Sequence, residues 1–206
     1  MEKYVLDTNL FFNMEPGLNI GKKTDEVIKR VAIAFKNLKD KQKAMFYMPP
    51  SIVKELKTFF ENKESPLLKD FLSEITIKSP DRSKVDFPSD VFYALVSEIH
   101  NRCLRGLSIS EDELTKAVLS LDGVKFSDKK ESQTKIGGFI KSLRDRYRQS
   151  TRFGFLDSVA DLDLIVLAKE QNAYLVSTDE GVISWGRRFG VKEMDAQVFG
   201  KKLIRD

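Results

Sequence analysis

Residues 3–9 read Lys3-Tyr4-Val5-Leu6-Asp7-Thr8-Asn9. A short apolar run that gives way to small polar residues predicts a buried strand over Lys3 to Leu6, stopping at Asp7. The pattern recurs near the other end of the chain. Ala173 to Ser177 predicts a strand that runs into Ser177-Thr178-Asp179. Each strand therefore delivers an aspartate to its carboxyl end.

The segments between these strands alternate in period. Val27, Ile28, Val31, Ala34, Phe35 and Leu38 recur at helical spacing over Thr24 to Asp40, with Thr24 or Asp25 as the expected cap. Met45 to Met48 predicts a second strand, stopped by Pro49 and Pro50. A helix over Ser51 to Phe60 follows, with Pro50 suited to its first turn. Leu67 to Leu72 predicts a short helix and Ile75 to Ile77 a strand. Ser79 to Pro88 reads as a charged loop. A helix is expected over Ser89 to Leu107, a turn at Gly106, and a second helix over Glu111 to Leu121, together an inserted helical hairpin. A basic helix over Glu131 to Thr151 comes next. Ser158 to Gln171 carries the unbroken apolar run Leu162 to Ala168, which suits a helix laid directly on a sheet. Gly181 to Phe189 reads as a short helix and Val191 to Met194 as a last strand. Alternating strands and helices predict an α/β fold with a mostly parallel central sheet flanked by helices. The expected division is one domain from residues 1–80 and 150–206, with 81–149 as the insertion. Ligands of open parallel sheets bind beyond the carboxyl ends of the strands, where Asp7 and Asp179 are expected.

Asp157 and Asp161 stand four residues apart at the start of the apolar helix. On one helical face, two like charges at this spacing repel unless a cation lies between them. The alternative is capping: Ser158 and Asp161 form a capping-box pattern, and Asp7 and Asp179 each precede a possible helix start. Asp163 points roughly to the other side of the helix. The order strand-Asp, then Asp157 and Asp161, then strand-Ser-Thr-Asp suits hard oxygen ligation of Mg²⁺ or Mn²⁺, with coordination positions left for phosphate oxygens. Ions so placed support in-line attack of water on phosphorus without a covalent enzyme intermediate.

Composition narrows the chemistry. The chain has 206 residues, 41% hydrophobic and 32% charged, with a formal charge of +4. Those values fit a folded globular chain, and a mildly basic balance favours an anionic partner. His100 is the only histidine, so a site built on paired histidines is excluded. Cys103 is the only cysteine, so no intrachain disulfide forms, and its place among apolar helical positions predicts burial. No apolar run is long enough to span a bilayer. The start enters a strand at once, so a signal peptide is not expected and cytoplasmic residence is.

From Lys141 to Phe153 the cations are Lys141, Arg144, Arg146, Arg148 and Arg152, against one acid, Asp145. Lys141, Arg144, Arg148 and Arg152 recur every three or four residues and form one stripe running toward Asp157. Guanidinium forks match phosphate oxygens, so this stripe is the candidate contact for a phosphate-bearing partner, with Arg146 a lesser one. Tyr147 is expected in the core. The insertion's apolar face, Phe92, Leu95, Val96, Ile99, Leu114, Val118 and Leu121, is more than a lone hairpin can bury, which points to self-association.

These residues carry a family likeness. Tyr4-Val5-Leu6-Asp7-Thr8-Asn9 resembles the opening motif of PIN domains. Pro49-Pro50-Ser51-Ile52-Val53-Lys54-Glu55-Leu56 resembles their second block, whose helical Glu often lies near the metal. Asp157 to Ala168 and Ser177-Thr178-Asp179 resemble the third and fourth blocks. The compact length, the helical insertion, and the basic helix followed by Arg152-Phe153-Gly154-Phe155-Leu156-Asp157 resemble more closely the small protein-only ribonuclease P group called HARP, also known as RNA ligase partner proteins. The resemblance implies a PIN-like domain and removal of the 5′ leader from precursor tRNA, leaving a 5′ phosphate. It implies metal-binding and catalytic roles for Asp7, Asp157, Asp161 and Asp179, with Asn9 and Glu55 secondary. It also implies homo-oligomers of dimers joined through the inserted helices. Three other readings compete: a toxin-like PIN ribonuclease, a non-catalytic RNA-binding PIN scaffold, and a phosphotransferase with an aspartyl nucleophile on the first strand. The last usually wants a second acid where Asn9 stands.

Overall fold

The computed structural model describes every residue of the chain except 13–17, 19, 22, 153, 157 and 206. The described elements in chain order are β1 (Glu2–Leu6), α1 (Asn9–Phe12), α2 (Thr24–Asp40), β2 (Ala44–Met48), α3 (Pro50–Leu56) with a 3₁₀ turn (Lys57–Phe59), α4 (Pro66–Ser73), β3 (Thr76–Ile77), α5 (Asp90–Leu121), α6 (Lys129–Arg152), α7 (Val159–Gln171), β4 (Tyr174–Val176), α8 (Glu180–Arg188) and α9 (Ala196–Arg205). They divide between two compact units, residues 1–88 with 156–206, and residues 89–155. No helix among the described residues is long and apolar enough to cross a membrane.

The first unit is an α/β domain on a four-stranded parallel sheet in the order β3-β2-β1-β4. Tyr4 registers with Phe46 on one side and Tyr174 on the other. The chain leaves β1 toward β2 and β3, and returns to the opposite flank of β1 with β4. The β1–β4 boundary is therefore the topological switch point, where a crevice opens beyond the strand ends. Central strands buried on both faces read as continuous apolar runs, and Tyr4, Val5 and Leu6 are almost fully buried. An aromatic cluster fills one side: Phe35 stacks on Phe46 with centroids 3.6 Å apart, and Phe199 of α9 lies 4.9 Å from Tyr4.

Local signals explain most elements. α2 buries Val27, Ile28, Val31, Phe35 and Leu38 along one stripe, but its cap position is Lys23, without a side-chain cap bond. Pro50 opens α3 and Pro66 opens α4, each in the first turn where a missing N–H is harmless. α7 buries Leu164 to Ala168 consecutively and ends at Asn172 in the left-handed conformation. The loop after β3 is fastened to α7: Lys78 pairs with Glu170, the Asp81 N–H donates to Glu170 at 2.9 Å, and Arg82 pairs with Asp163 at 3.1 Å. The strand expected over Val191 to Met194 is reduced to a single parallel bridge, Leu175 with Glu193. Only Leu175 makes the exchange, donating to Lys192 O and accepting from the Met194 N–H.

The second unit is a hairpin of α5 and α6, and it corrects the expected insertion. Gly106 does not turn the chain, because α5 runs unbroken for 32 residues through it. A Cβ at Gly106 would stand 2.6 Å from the Tyr147 ring, so the missing side chain serves close helix approach instead of a turn. Tyr147, expected in the core, lies against Gly106 with 44% of its surface exposed. Arg146 donates to Glu113 at 2.6 Å and pairs with Asp112 at 3.2 Å. Arg146 and Lys116 hold the buried Glu113 carboxyl down at about 2. Arg102 donates to the Thr151 carbonyl at 2.7 Å and lies over the Phe155 ring. Cys103 is exposed, against the expected burial.

Candidate active site

Asp7 is the first residue beyond β1, and its N–H still donates to Val176 O of β4 at 3.1 Å. That bond fixes Asp7 at the switch point, with its side chain 4% exposed. Ser177, the residue after β4, donates from its hydroxyl to Asp7 Oδ2 at 2.5 Å. The Asn9 amide lies 3.4 Å from the same oxygen. The Ser177 Oγ also accepts the Asp179 N–H at 3.0 Å, so one hydroxyl joins the two acids predicted at the two strand ends.

Thr8, fully buried, places its Oγ1 3.0 Å from Glu55 Oε1 and 3.3 Å from Asp7 Oδ1. Its single proton is directed to the nearer partner, Glu55. Glu55 arrives there because β2 lies beside β1 and α3 begins two residues after β2. The electrostatics follow from this packing. Burial raises the Asp7 pKa most, hydrogen bonds from Ser177 and the Asn9 backbone lower it, and the Glu55 and Asp179 charges raise it again. The net shift is upward.

The remaining candidates sort differently. Asp179 caps α8, accepting from the Val182 N–H at 3.0 Å through Oδ1. Asp161 forms the capping box with Ser158: its Oδ2 accepts the Ser158 N–H at 3.2 Å while Ser158 Oγ accepts its N–H at 3.1 Å. The capping alternative is thus realised at both. Asp163 accepts from Ser51 and Arg82, away from the Asp7 cluster's hydrogen bonds. Asp157, and Phe153 of the same motif, lie outside the described residues. Among the described residues no three Asp, Glu, His or Cys side chains are close enough to share one metal ion. What the fold does bring together is Asp7, Asn9, Glu55 and Asp179, through Thr8 and Ser177. Thr8 and Ser177 are the functional positions that sequence reasoning passed over. Their signal was adjacency, each hydroxyl sitting within two residues of a strand-end aspartate.

In the second unit, Lys141, Arg144, Arg148 and Arg152 are all exposed. At 100° per residue they fall within one face of α6. Arg144, Arg148 and Arg152 line a cleft of about 350 Å³ with Ser110, Leu143 and Tyr147. None of the four is ion-paired among the described residues. Arg146 lies on the opposite face, locked to α5, which removes it from the candidate RNA contacts.

A parallel sheet with acids gathered at its switch point defines a class, and the comparisons agree with it: the family model for the PINc domain ribonuclease matches residues 3–205. Three curated relatives are each named RNA-free ribonuclease P. The Thermococcus kodakarensis protein is 33% identical over 98% of this chain and 93% of its own length. The Pyrococcus horikoshii protein is 35% identical over 98% and 92%. The Thermodesulfovibrio yellowstonii protein is 36% identical over 98% and 93%. The chain belongs to the RNA-free ribonuclease P family of PIN-domain ribonucleases.

Proposed function

We propose that this protein is an endoribonuclease of the ribonuclease P type, which removes the 5′ leader of precursor tRNA and leaves a 5′ phosphate. The observation that carries this reading is Asp7: a buried carboxylate at the switch point, tied through Ser177 to Asp179 and through Thr8 to Glu55. Burying such a charge is unfavourable unless something compensates it. A donor set of hard oxygens carrying negative charge fits a divalent cation of the Mg²⁺ or Mn²⁺ type. Asp7 and Asp179 would hold it, with Glu55 joined to the group through Thr8, and we extend the same role to Asp157 and Asp161. When bound, such an ion supplies an activated water and neutralises the leaving oxygen. Ser177 and Asn9 hold the Asp7 carboxylate in one orientation, and Thr8 does the same for Glu55. The exposed cations Lys141, Arg144, Arg148 and Arg152 bind the tRNA backbone. Self-association through α5 covers Phe92, Val96, Ile99, Leu114 and Val118, each 46% or more exposed in the single chain. The substrate places the protein in the cytoplasm.

The test is incubation with end-labelled precursor tRNA and Mg²⁺, beside the Asp7→Asn variant. A single cut at the leader junction, absent in the variant, is expected. Diffuse cutting, anticodon cleavage, or tight binding without a cut would overturn the assignment in favour of a toxin-like nuclease or a scaffold.

A further inference from the structure

Phe12 and Phe59 stack with ring centroids 4.1 Å apart and planes 20° from parallel, and Phe60 meets Phe12 edge-on at 6.2 Å. Phe59 is 52% exposed, whereas Phe11, Phe35, Phe46, Phe71 and Phe199 are buried to within 1%. The position of Phe59 is tied to the acids. Thr8 touches Glu55, and Phe12 and Phe59 lie four residues further along the same two segments. The Thr58 hydroxyl donates to the Glu55 carbonyl at 2.7 Å, holding the 3₁₀ turn that carries Phe59 against α3. The aromatic pair is thus the next rung after the Thr8–Glu55 contact, about one helical turn, ~6 Å, from it.

We propose that Phe59, backed by Phe12, is a stacking platform for an unpaired base of the RNA substrate beside the scissile phosphate. The inference rests on the ribonuclease reading above and adds how the substrate is placed. An exposed ring prefers a planar π partner, and single-stranded nucleotides offer one whatever their sequence. The bases of the acceptor stem are already stacked in a helix, so the platform takes a leader nucleotide. Phe59 is a positioning residue: it fixes the strand while Asp7 and its neighbours face the phosphate.

The experiment places 2-aminopurine at leader positions next to the junction of precursor tRNA and reads its fluorescence on binding. It uses the Asp7→Asn protein, so that nothing is cut. A change in emission on binding is expected with Phe59, lost in Phe59→Leu, which keeps an apolar side chain, and restored in Phe59→Trp. In the active protein, Phe59→Leu is expected to raise KM for leader-bearing RNA roughly ten-fold and to leave binding of leaderless tRNA unchanged. Unchanged 2-aminopurine emission on binding to the parent protein, equal KM in Phe59→Leu, or equal losses with and without a leader would overturn the platform. So would a change in assembly mass with Phe59→Leu, which would mark the ring as a protein contact. Failure of the parent protein to cleave precursor tRNA instead overturns the ribonuclease reading, which the fluorescence arm does not depend on.

Discussion

The double variant Arg144→Ala/Arg148→Ala tests how α6 meets RNA. Both side chains are exposed, one turn apart, and free of ion pairs among the described residues. Each phosphate neutralised releases condensed counterions and contributes about 0.9 to the slope of log affinity against log salt. Removing two contacts should therefore flatten the slope by about 2. Between 50 and 200 mM salt, a four-fold change, the wild-type advantage should shrink about ten-fold. Arg146→Ala is the control: it removes a guanidinium from the same helix, but one bound to Glu113 and Asp112. It should weaken the hairpin and leave the slope alone. Fluorescence anisotropy with labelled precursor tRNA in the Asp7→Asn background, at four salt concentrations, reads the result. Equal slopes for parent and double variant, or equal flattening by Arg146→Ala, would refute the assignment of faces.

Three further outcomes are expected. Asp7 is raised by burial, so its ionisation favours the unfolded chain: stability contributed by the protonated carboxyl is present at low pH and lost as pH rises through the folded pKa. Asp7→Asn should therefore melt higher than the parent at pH 7 without divalent ions, with the gap closing toward pH 4 and narrowed by added Mg²⁺, as thermal unfolding would show. Gly106→Ala gains about 1 kcal/mol of helix propensity but meets Tyr147 at 2.6 Å, which costs about 1–3 kcal/mol. Urea titrations should show it destabilising in the parent and stabilising in Tyr147→Ala, and the same sign in both would sink the close-approach account. Glu113 runs the other way from Asp7. Its carboxyl is held down at about 2 by Arg146 and Lys116, so its contribution is present above the unfolded carboxylate range and fades as pH falls toward 2. Glu113→Gln should lower stability at pH 7 and match the parent near pH 2.

The strand-end aspartates were legible because a buried parallel strand writes itself as an apolar block, and the residue after the block must sit at the rim. The apolar run of α7 was legible for the same reason. Gly106 was misread because a glycine permits a turn and a close helix contact alike, and only the Tyr147 ring on α6 distinguishes them. The stripe of cations on α6 was legible by spacing, but Arg146 looked like its neighbours until Glu113 and Asp112 appeared opposite it. The cap of α7 shows the limit of motif reading. In one dimension Asp161 suits a capping box with Ser158 and a metal pair with Asp157 alike; the folded chain forms the cap, and Asp157 lies outside the described residues.

The sequence by itself determined the alternation of strands and helices, the acids at the ends of β1 and β4, and the exposed basic face, because period and punctuation are local properties of the chain. Only the tertiary structure decided that Ser177 bridges Asp7 and Asp179, that Glu55 closes on Thr8, and that Phe12 stacks on Phe59. Those contacts join residues 2 to 170 positions apart, and their distances depend on the strand order β3-β2-β1-β4, which no local pattern encodes.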